Sequence, residues 1–438
     1  MSALALAARR RGVAVSGCDT DTGAFEDLAA VGITTHAAPD EQHPLGCRAL
    51  VVTAAARADH PEILAARAHG VPVVPRKEAL AELVNAGTLA AISGTHGKTT
   101  TTVMTTLALR AAGLGASGLA GGRVAAWGGN ALLDDAPLFV VEADEYDQAF
   151  LTLMPTIAVV NNVEADHLEC YGSVEAMEAA FVTFASRATR CFVGTADAGS
   201  ARVAARLGAA AVRFGVEPEA DVRIMVQRAD AEGSEARITF PSGAACTLRL
   251  LVPGLHNLRN ATAALAVTEA LGGSVDAAAA ALAAFTGVGR RFERLGEADG
   301  IAYVDDYAHH PTELEATLHA ARQAYPDRRL VAVFQPHLFS RTREHGEAMG
   351  RLLAAADLVI VADVYAAREA PMPGVTGKLV ADAAIAAGAM VAYEPRRERL
   401  AAEVGDLLRP GDVLLTMGAG DITGVGRELL ARALGGGA

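Results

Sequence analysis

The stretch Ser93-Gly94-Thr95-His96-Gly97-Lys98-Thr99 constrains this chain more than any other. An apolar run, Leu89 to Ser93, leads into it, and a helix-forming segment, Thr99 to Ala112, leads out. In that strand–loop–helix setting the backbone N–H groups at the start of the helix cradle anionic phosphate. Lys98 adds a mobile positive charge directed at the β/γ-phosphates, and the Thr99 hydroxyl is placed to ligate Mg²⁺. The loop departs from the usual GxxxxGK[ST] pattern, because Ile92 stands where the first glycine belongs and Gly94 lies closer in. A turn merely rich in Gly and Thr is the competing reading; the flanking strand and helix favour a nucleotide loop. Gly94, Thr95, His96, Gly97, Lys98, Thr99 and Thr100 are therefore the candidate ATP contacts.

Two further strand ends bear on that loop. Glu142 closes the apolar run in LFVVEADEYD, where a metal-binding carboxylate belongs in a phosphate-transfer site. Asp144, Glu145 and Asp147 crowd the same turn, and a solvated acidic loop explains Asp144 and Asp147 better than Glu142. Asp166-His167 follows the run Thr156 to Asn161. A histidine there is often structural, but convergence of neighbouring strand ends on one site favours a ligand.

At 438 residues, two or three domains are expected. The net charge of −13, without any basic run, argues against nucleic-acid binding. Cys18, Cys47, Cys170, Cys191 and Cys246 are scattered and odd in number, which reads as reduced thiols in a cytoplasmic protein. No apolar run approaches the ~20 residues of a membrane span, and the start MSALALAARRRG reverses the charge order of a signal peptide.

Strands and helices alternate along most of the chain, which predicts parallel sheets covered on both faces. Helix residues at the start feed a short buried strand, Gly12 to Gly17. Further strands are expected at Ala49 to Thr53 and Val71 to Val74, with helices after His60-Pro61 and from Lys77 to Val84. Between Val212 and Val252 short strands alternate with turns at Glu232-Gly233 and Ser242-Gly243, an antiparallel patch inserted in the α/β pattern. Two Ala-rich helices follow, Asn257 to Leu271 and Val275 to Phe285. Strands at Ile301 to Val304, Leu330 to Phe334, Leu358 to Ala362 and Val413 to Met417 complete the pattern. The expected architecture is α/β in three domains. Residues 1–87 form a truncated Rossmann-like domain and 88–287 a P-loop ATPase-like domain with the antiparallel patch. A C-terminal Rossmann-like domain spans 288–438.

SGTHGKTTTT, VEADEYD, NNVEADHLECYG, PGLHNLRNATAA, GVGRRFE, VDDYAHHPTE, FQPHLFSRT, DVYAAREAPMPGV and GAGDI occur in this order. This set resembles the Mur ligase family. VDDYAHHPTE and FQPHLFSRT are similar to its branch that joins L-alanine to UDP-N-acetylmuramate in peptidoglycan precursor synthesis. The resemblance implies a cytoplasmic ATP- and Mg²⁺-dependent amide ligase working through an acyl phosphate, as a monomer or weak homodimer. It implies Thr99 and Glu142 as ligands of one Mg²⁺ and His167 of a second. His256, Asn257 and Asn260 match an HNxxN signature at the adenine end of ATP, with Asn257 as a helix cap the alternative. Some family members hold the second metal with a CO₂-modified lysine; Ser173 to Arg187 contains none.

Arg290 and Arg291 follow the hinge between domains two and three; one is expected to reach the phosphates after closure, with Arg291 the candidate, and the other to pair with Glu293. Tyr307, His309, His337 and Arg341 lie after strands of the third domain, where α/β sheets bind ligands. They are assigned to the muramoyl carboxylate and L-alanine, with His309 orienting or deprotonating the amine and His310 a helix-entry residue. Family members begin with a strand and a GxGGxGM loop for the uridine diphosphate. Met1-Ser2 aligns with the end of that loop, and a misplaced start codon is the expected explanation. Asp19 is a substrate contact or a turn cap. The alternatives are a muropeptide-recycling or folate-type ligase, or an ATP-binding regulator lacking the N-terminal loop.

Overall fold

The computed structural model describes residues 1–230, 233–367 and 369–435. They gather into two compact units: residues 1–227, 236–249 and 258–285, and residues 228–230, 233–235, 250–257, 286–367 and 369–435.

The first unit is organised by a ten-stranded sheet. Its order is Ala245–Leu250, Gly233–Thr239, Val222–Asp230, Ala211–Gly215, Arg190–Gly194, Ile157–Val160, Thr88–Ser93, Leu138–Glu142, Ser117–Val124 and Gly129–Leu132. The phosphate-loop strand Thr88–Ser93 lies near the middle, with Ala91 opposite Val141 on one side and Ala158 on the other, both parallel. Its residues Leu89 to Ile92 are wholly buried. A strand covered on both faces reads as a continuous apolar run, which is why the sequence marks it so clearly. The helix Lys98–Ala111 carries a run of threonines, poor helix formers on their own. Burial compensates here, and the Thr106 hydroxyl donates to the Thr102 carbonyl at 2.8 Å instead of facing an apolar wall. Beneath the sheet Phe150 stacks on Phe184 and meets Phe181 edge-on, at 5.0 and 5.1 Å between ring centres. Phe181 and Phe184 come from the helix Val174–Ser186, whose start is capped by Ser173 accepting from the Ala176 amide.

The stretch from Val212 to Val252 is inserted in the main sheet: Ala211–Gly215 and Val222–Asp230 pair in parallel, and Gly233–Thr239 and Ala245–Leu250 continue the sheet to its edge. The turn at Ser242-Gly243 is present, with the Gly243 amide bonded to Phe240 O. Of the other expected turn, Glu232 lies outside the described residues. The buried strand expected from Gly12 to Gly17 is instead Ser16–Cys18, largely exposed, with Val13 46 % accessible. Among the described residues it pairs, in parallel, only with Thr34–His36, and Leu50–Val52 pairs with Val73–Pro75 in a second two-stranded sheet. A parallel strand is buried when neighbours and helices cover it; this one has a single neighbour.

The second unit is built on a six-stranded sheet in the order Glu293–Ala298, Ile301–Asp306, Asp412–Met417, Arg329–Phe334, Leu358–Val361 and Val391–Tyr393. Only the first pair is antiparallel. Alternate residues enter two cores: Leu330, Ala332 and Phe334 pack on one face, Val331 and Val333 on the other. This period of two is what the pleat imposes. Arg329 and Asp412, register partners at the strand starts, form a bidentate pair at 2.8 and 2.7 Å. The carboxyl ends of the three middle strands therefore open on the same side. Among the described residues no helix is long and apolar enough to cross a membrane.

Candidate active site

The phosphate loop is held from below by the segment that follows strand Ile157–Val160. Thr95 N–H donates to Asn162 O at 3.1 Å, and His96 N–H to Asn162 Oδ1 at 2.7 Å. The Thr95 hydroxyl accepts from Glu164 N at 2.9 Å and donates to Glu164 O at 3.2 Å. The His96 ring lies 3.0 Å from the Glu164 carboxylate. Gly94 has φ +131°, and a Cβ there would lie 3.0 Å from Asn161 Cβ and from the backbone nitrogens of Asn161 and Asn162. Gly97, at φ +78°, passes under Asn260, whose Oδ1 would be 2.6 Å from an added Cβ. The helix beginning at Lys98 points its first amides, which have no partners within the helix, into this cradle.

Lys98 curls back over the loop. Its ammonium donates to Gly94 O at 2.7 Å, Thr95 O at 3.2 Å and Glu145 Oε1 at 2.8 Å. Burial by itself favours the neutral amine, but the carboxylates of Glu145, Asp144 and Glu142 outweigh it and keep Lys98 protonated. Burial also pushes Glu145 up to about 7, against the opposing pull of Lys98. The second Glu145 oxygen is buried with no hydrogen-bond partner among the described residues. Thr99 donates to Glu142 Oε2 at 2.9 Å, and the same oxygen accepts from Gly121 N at 2.7 Å. Thr100 is buried in the first turn. His167 sits in the left-handed region at φ +54°, with its ring 5.1 Å from that of Tyr146 and Nε2 3.6 Å from Asp166. Since Thr88–Ser93 lies between Leu138–Glu142 and Ile157–Val160, Glu142 and His167 follow strands on opposite sides of the phosphate-loop strand.

The HNxxN segment opens the helix Leu255–Ala270. Asn257 is inside its first turn, not capping it, and donates from Nδ2 to Pro253 O at 2.7 Å. The His256 ring folds over Gly254, where a Cβ would come within 2.5 Å of it. Asn260, one turn on, is the residue over Gly97.

In the second unit the expected residues make one chain of contacts. The Tyr307 ring lies under two guanidiniums, Arg290 at 4.7 Å and Arg291 at 4.9 Å. It meets His309 edge-on at 5.2 Å, His309 meets His337 at 5.9 Å, and His337 Nδ1 lies 3.5 Å from Arg341. His309 Nδ1 is 2.8 Å from the Tyr307 carbonyl and 3.2 Å from Glu313. Both partners only accept, so Nδ1 carries the proton and Nε2 presents a lone pair. Burial, first, lowers the His309 pKa to about 4, with Arg341 and Arg291 adding and Glu313 opposing. His309 is thus neutral at pH 7. Its contribution to stability is complete above about pH 6.5 and is lost as pH falls toward 4, because the unfolded imidazole takes a proton that the buried one resists. Between pH 7 and pH 4.5 wild type should lose roughly 2 kcal/mol more than H309Q, measured by urea denaturation. Parallel pH profiles would refute the buried neutral ring.

The pairing expected of an arginine guanidinium with Glu293 takes another form. The Arg290 backbone N–H donates to Glu293, and Arg427 supplies its ion pair at 2.9 Å. The Arg290 guanidinium is drawn to the carbonyls of Gly418 and Gly420 at 2.6 and 3.0 Å, while Arg291 lies 3.6 Å from Glu313. His310 precedes the helix Pro311–Ala324, its buried ring against His345. Asp19 caps a turn, accepting from Asp21 N at 3.0 Å.

Several further residues support these sites. Asn161, Asn162 and Glu164 pin the phosphate loop; they stand directly after a buried strand and open the motif NNVEADHLECYG. Asp306 is buried, receives the amides of Phe292 and Ala308 at 2.6 and 2.8 Å, and is raised to about 6 by burial. Asp305 binds the hydroxyls of Thr416 and Thr423, both at 2.6 Å. Two consecutive aspartates ending an apolar strand were the available cue.

Three family models cover most of the chain: Mur ligase family, catalytic domain, over residues 1–88; Mur ligase middle domain over 92–268; and Mur ligase, glutamate ligase domain, over 290–420. A UDP-N-acetylmuramate–L-alanine ligase of Streptomyces avermitilis is 43 % identical over 440 residues, 99 % of this chain and 95 % of that protein. The protein so named in Kineococcus radiotolerans is 46 % identical over 98 % of this chain and 93 % of its own length. Among solved structures, the UDP-N-acetylmuramate-alanine ligase MurC of Thermotoga maritima matches with a TM-score of 0.85 and 27 % identity, covering 100 % of this chain and 97 % of that one. A murein peptide ligase from Psychrobacter arcticus matches at 0.73 and 26 %, covering 99 % and 96 %. A stitched phosphate loop, a hydroxyl–carboxylate pair beside it and relatives of this identity over nearly the full length lead to one conclusion: the chain belongs to the Mur ligase family.

Proposed function

We propose that this chain joins L-alanine to the lactyl carboxylate of UDP-N-acetylmuramate, using ATP, in the cytoplasm. The observation that carries the reading is the agreement between full-length relatives of that name and a phosphate loop built for a triphosphate. Three domains at 1–87, 88–287 and 288–438 fit the spans of the family models. UDP-N-acetylmuramate is assigned to the first, with Asp19 at its edge, ATP to the second and L-alanine to the third.

A carboxylate oxygen attacks the γ-phosphorus, its bond to ADP breaks, and an acyl phosphate forms. The amine of L-alanine then attacks the acyl carbon, the C–O bond to phosphate breaks, and the proton the amine loses passes to the departing phosphate. The first step brings anions together, so its barrier depends on local positive charge. Lys98 and the helix-start amides around Gly94 to Thr100 supply it, and Asn260 with His256 and Asn257 is assigned to the adenine end. The cradle suits a phosphate, because glycine at 94 and 97 lets the loop lie against Asn161, Asn162 and Asn260 while the first amides of the helix keep no partner within it. The Thr99 hydroxyl and Glu142 carboxylate are hard oxygen donors of the kind Mg²⁺ takes. They would hold one ion and His167 a second; Mg²⁺ when bound neutralises phosphate charge. Arg291 is assigned to the transferring phosphoryl group, and Tyr307, His337 and Arg341 to the carboxylates. His309, a weak base with an available Nε2 lone pair, accepts a hydrogen bond from the amine and orients it.

Incubation with UDP-N-acetylmuramate, L-alanine and Mg-ATP should give one ADP per amide formed. ADP release indifferent to L-alanine would reject the reading, and preference for a tripeptide over L-alanine would move it to the recycling ligases. E142Q should raise the Mg²⁺ concentration for half-maximal rate by about 10-fold or more. An unchanged Mg²⁺ dependence would remove Glu142 from the metal site.

A further inference from the structure

A second group of ligand-bearing side chains lies far along the chain from the phosphate loop, in the first ninety residues. Cys18 and His36 end two adjacent parallel strands and are register partners. Side chains at paired positions share a face of the sheet. The His43 ring packs on that of His36 with centres 4.0 Å apart. Glu62 is a carboxylate buried to 6 % exposure in the first turn of the helix Pro61–Ala68, and its Oε1 lies 2.5 Å from His43 Nδ1. The ligand atoms of Cys18, His43 and Glu62 all lie within 4.8 Å of one another.

We propose that Cys18, His43 and Glu62 form a binding site for a zinc-type divalent cation, with His36 packed behind His43 to fix its ring. One sulfur, one imidazole nitrogen and one carboxylate oxygen make a borderline-soft set that suits Zn²⁺ and is wrong for Mg²⁺. Metal–ligand bonds of about 2.0–2.3 Å in a tetrahedron place neighbouring ligand atoms roughly 3.3–3.7 Å apart. The 2.5 Å contact must therefore open, and the widest separation close, by about 1 Å each, within reach of side-chain rotation. A thiolate and a carboxylate balance the charge of the ion. Burial and the neighbouring Glu62 push the Cys18 thiol up to about 11, so binding forms the metal–sulfur bond and releases that proton to water. Three protein ligands leave a fourth position for water. This cluster stands at the carboxyl ends of the strands, next to Asp19, so occupancy would tie together the loops on which α/β domains receive their ligands.

The test uses the whole chain, stripped with a chelator and held in saturating Mg²⁺ so that hard-oxygen sites are occupied. Titration with Co²⁺, as a spectroscopic substitute for Zn²⁺, should show one equivalent with sulfur-to-cobalt charge-transfer absorption that Zn²⁺ displaces. C18S should abolish the absorption, and H43Q, with the thiol intact, should weaken binding by about 10-fold or more. Cys47, whose Sγ lies 3.4 Å from the His43 carbonyl, is the nearby competitor, and C47S should leave the absorption unchanged. No charge-transfer absorption in wild type, its persistence in C18S, or its loss in C47S would overturn the proposal. Circular dichroism identifies a variant that fails to fold, in which case H43Q alone decides.

Discussion

Lys98→Ala should lower kcat by roughly 10³-fold or more in a protein that still folds. The ammonium is anchored to two loop carbonyls and Glu145, so a charge is stored within the loop before ATP arrives. In the first chemical step negative charge builds on the phosphoryl oxygens as a second anion approaches. A fixed cation in a water-poor site stabilises that state far more than it stabilises bound ATP. The loss should therefore fall mainly on kcat, with a smaller weakening of ATP affinity. Folding should survive, because the carboxyl left behind has a way out. Glu145 is already raised to about 7 by burial, and without Lys98 it is held neutral at ordinary pH. Steady-state kinetics and equilibrium ATP binding measured together check this. Near-normal kcat would reject the loop as the phosphoryl-transfer centre.

What the sequence shows and hides follows from the range of the interactions. The strand Thr88–Ser93 and the loop after it were legible because burial on both faces and a phosphate cradle each demand local residue types. Glu142 was legible for the same reason, as an acid at the end of an apolar run. The roles of Asn161, Asn162 and Glu164 were not, because their work consists of hydrogen bonds to residues some 65 positions earlier. Periodicity carries no trace of such partners. The strand expected at Gly12 to Gly17 shows the opposite error: its composition is that of a buried strand, but burial depends on neighbours that composition does not report. His309 was chosen from its position after a strand. Its tautomer and neutrality depend on the Tyr307 carbonyl and on packing, which only the fold supplies.

Gly94→Ala should disable the phosphate loop with a single methyl. The chain crosses Gly94 at φ +131°, with the Asn161 amide bonded to Ser93 O at 2.9 Å and the Thr95 amide to Asn162 O at 3.1 Å on either side. Two of the three atoms that an added Cβ would meet at 3.0 Å are backbone nitrogens, which cannot swing aside as a side-chain tip can. Accommodating the methyl means lifting the loop off residues 161–164, breaking the Thr95 and His96 bonds and turning the helix-start amides away from the phosphates. The expected cost is about 2–4 kcal/mol of stability together with loss of measurable ATP binding. Gly113→Ala separates the two causes. Gly113 also has positive φ, at +81°, but an added Cβ there meets nothing within 4 Å. It should cost only the roughly 1–2 kcal/mol of the left-handed backbone and leave ATP binding intact. Equal stability losses in the two variants, with ATP bound normally by both, would mean that close approach at Gly94 does not shape the phosphate cradle. A larger loss confined to G94A, with binding abolished, ties nucleotide recognition to the contact between Gly94 and the Asn161-Asn162 backbone.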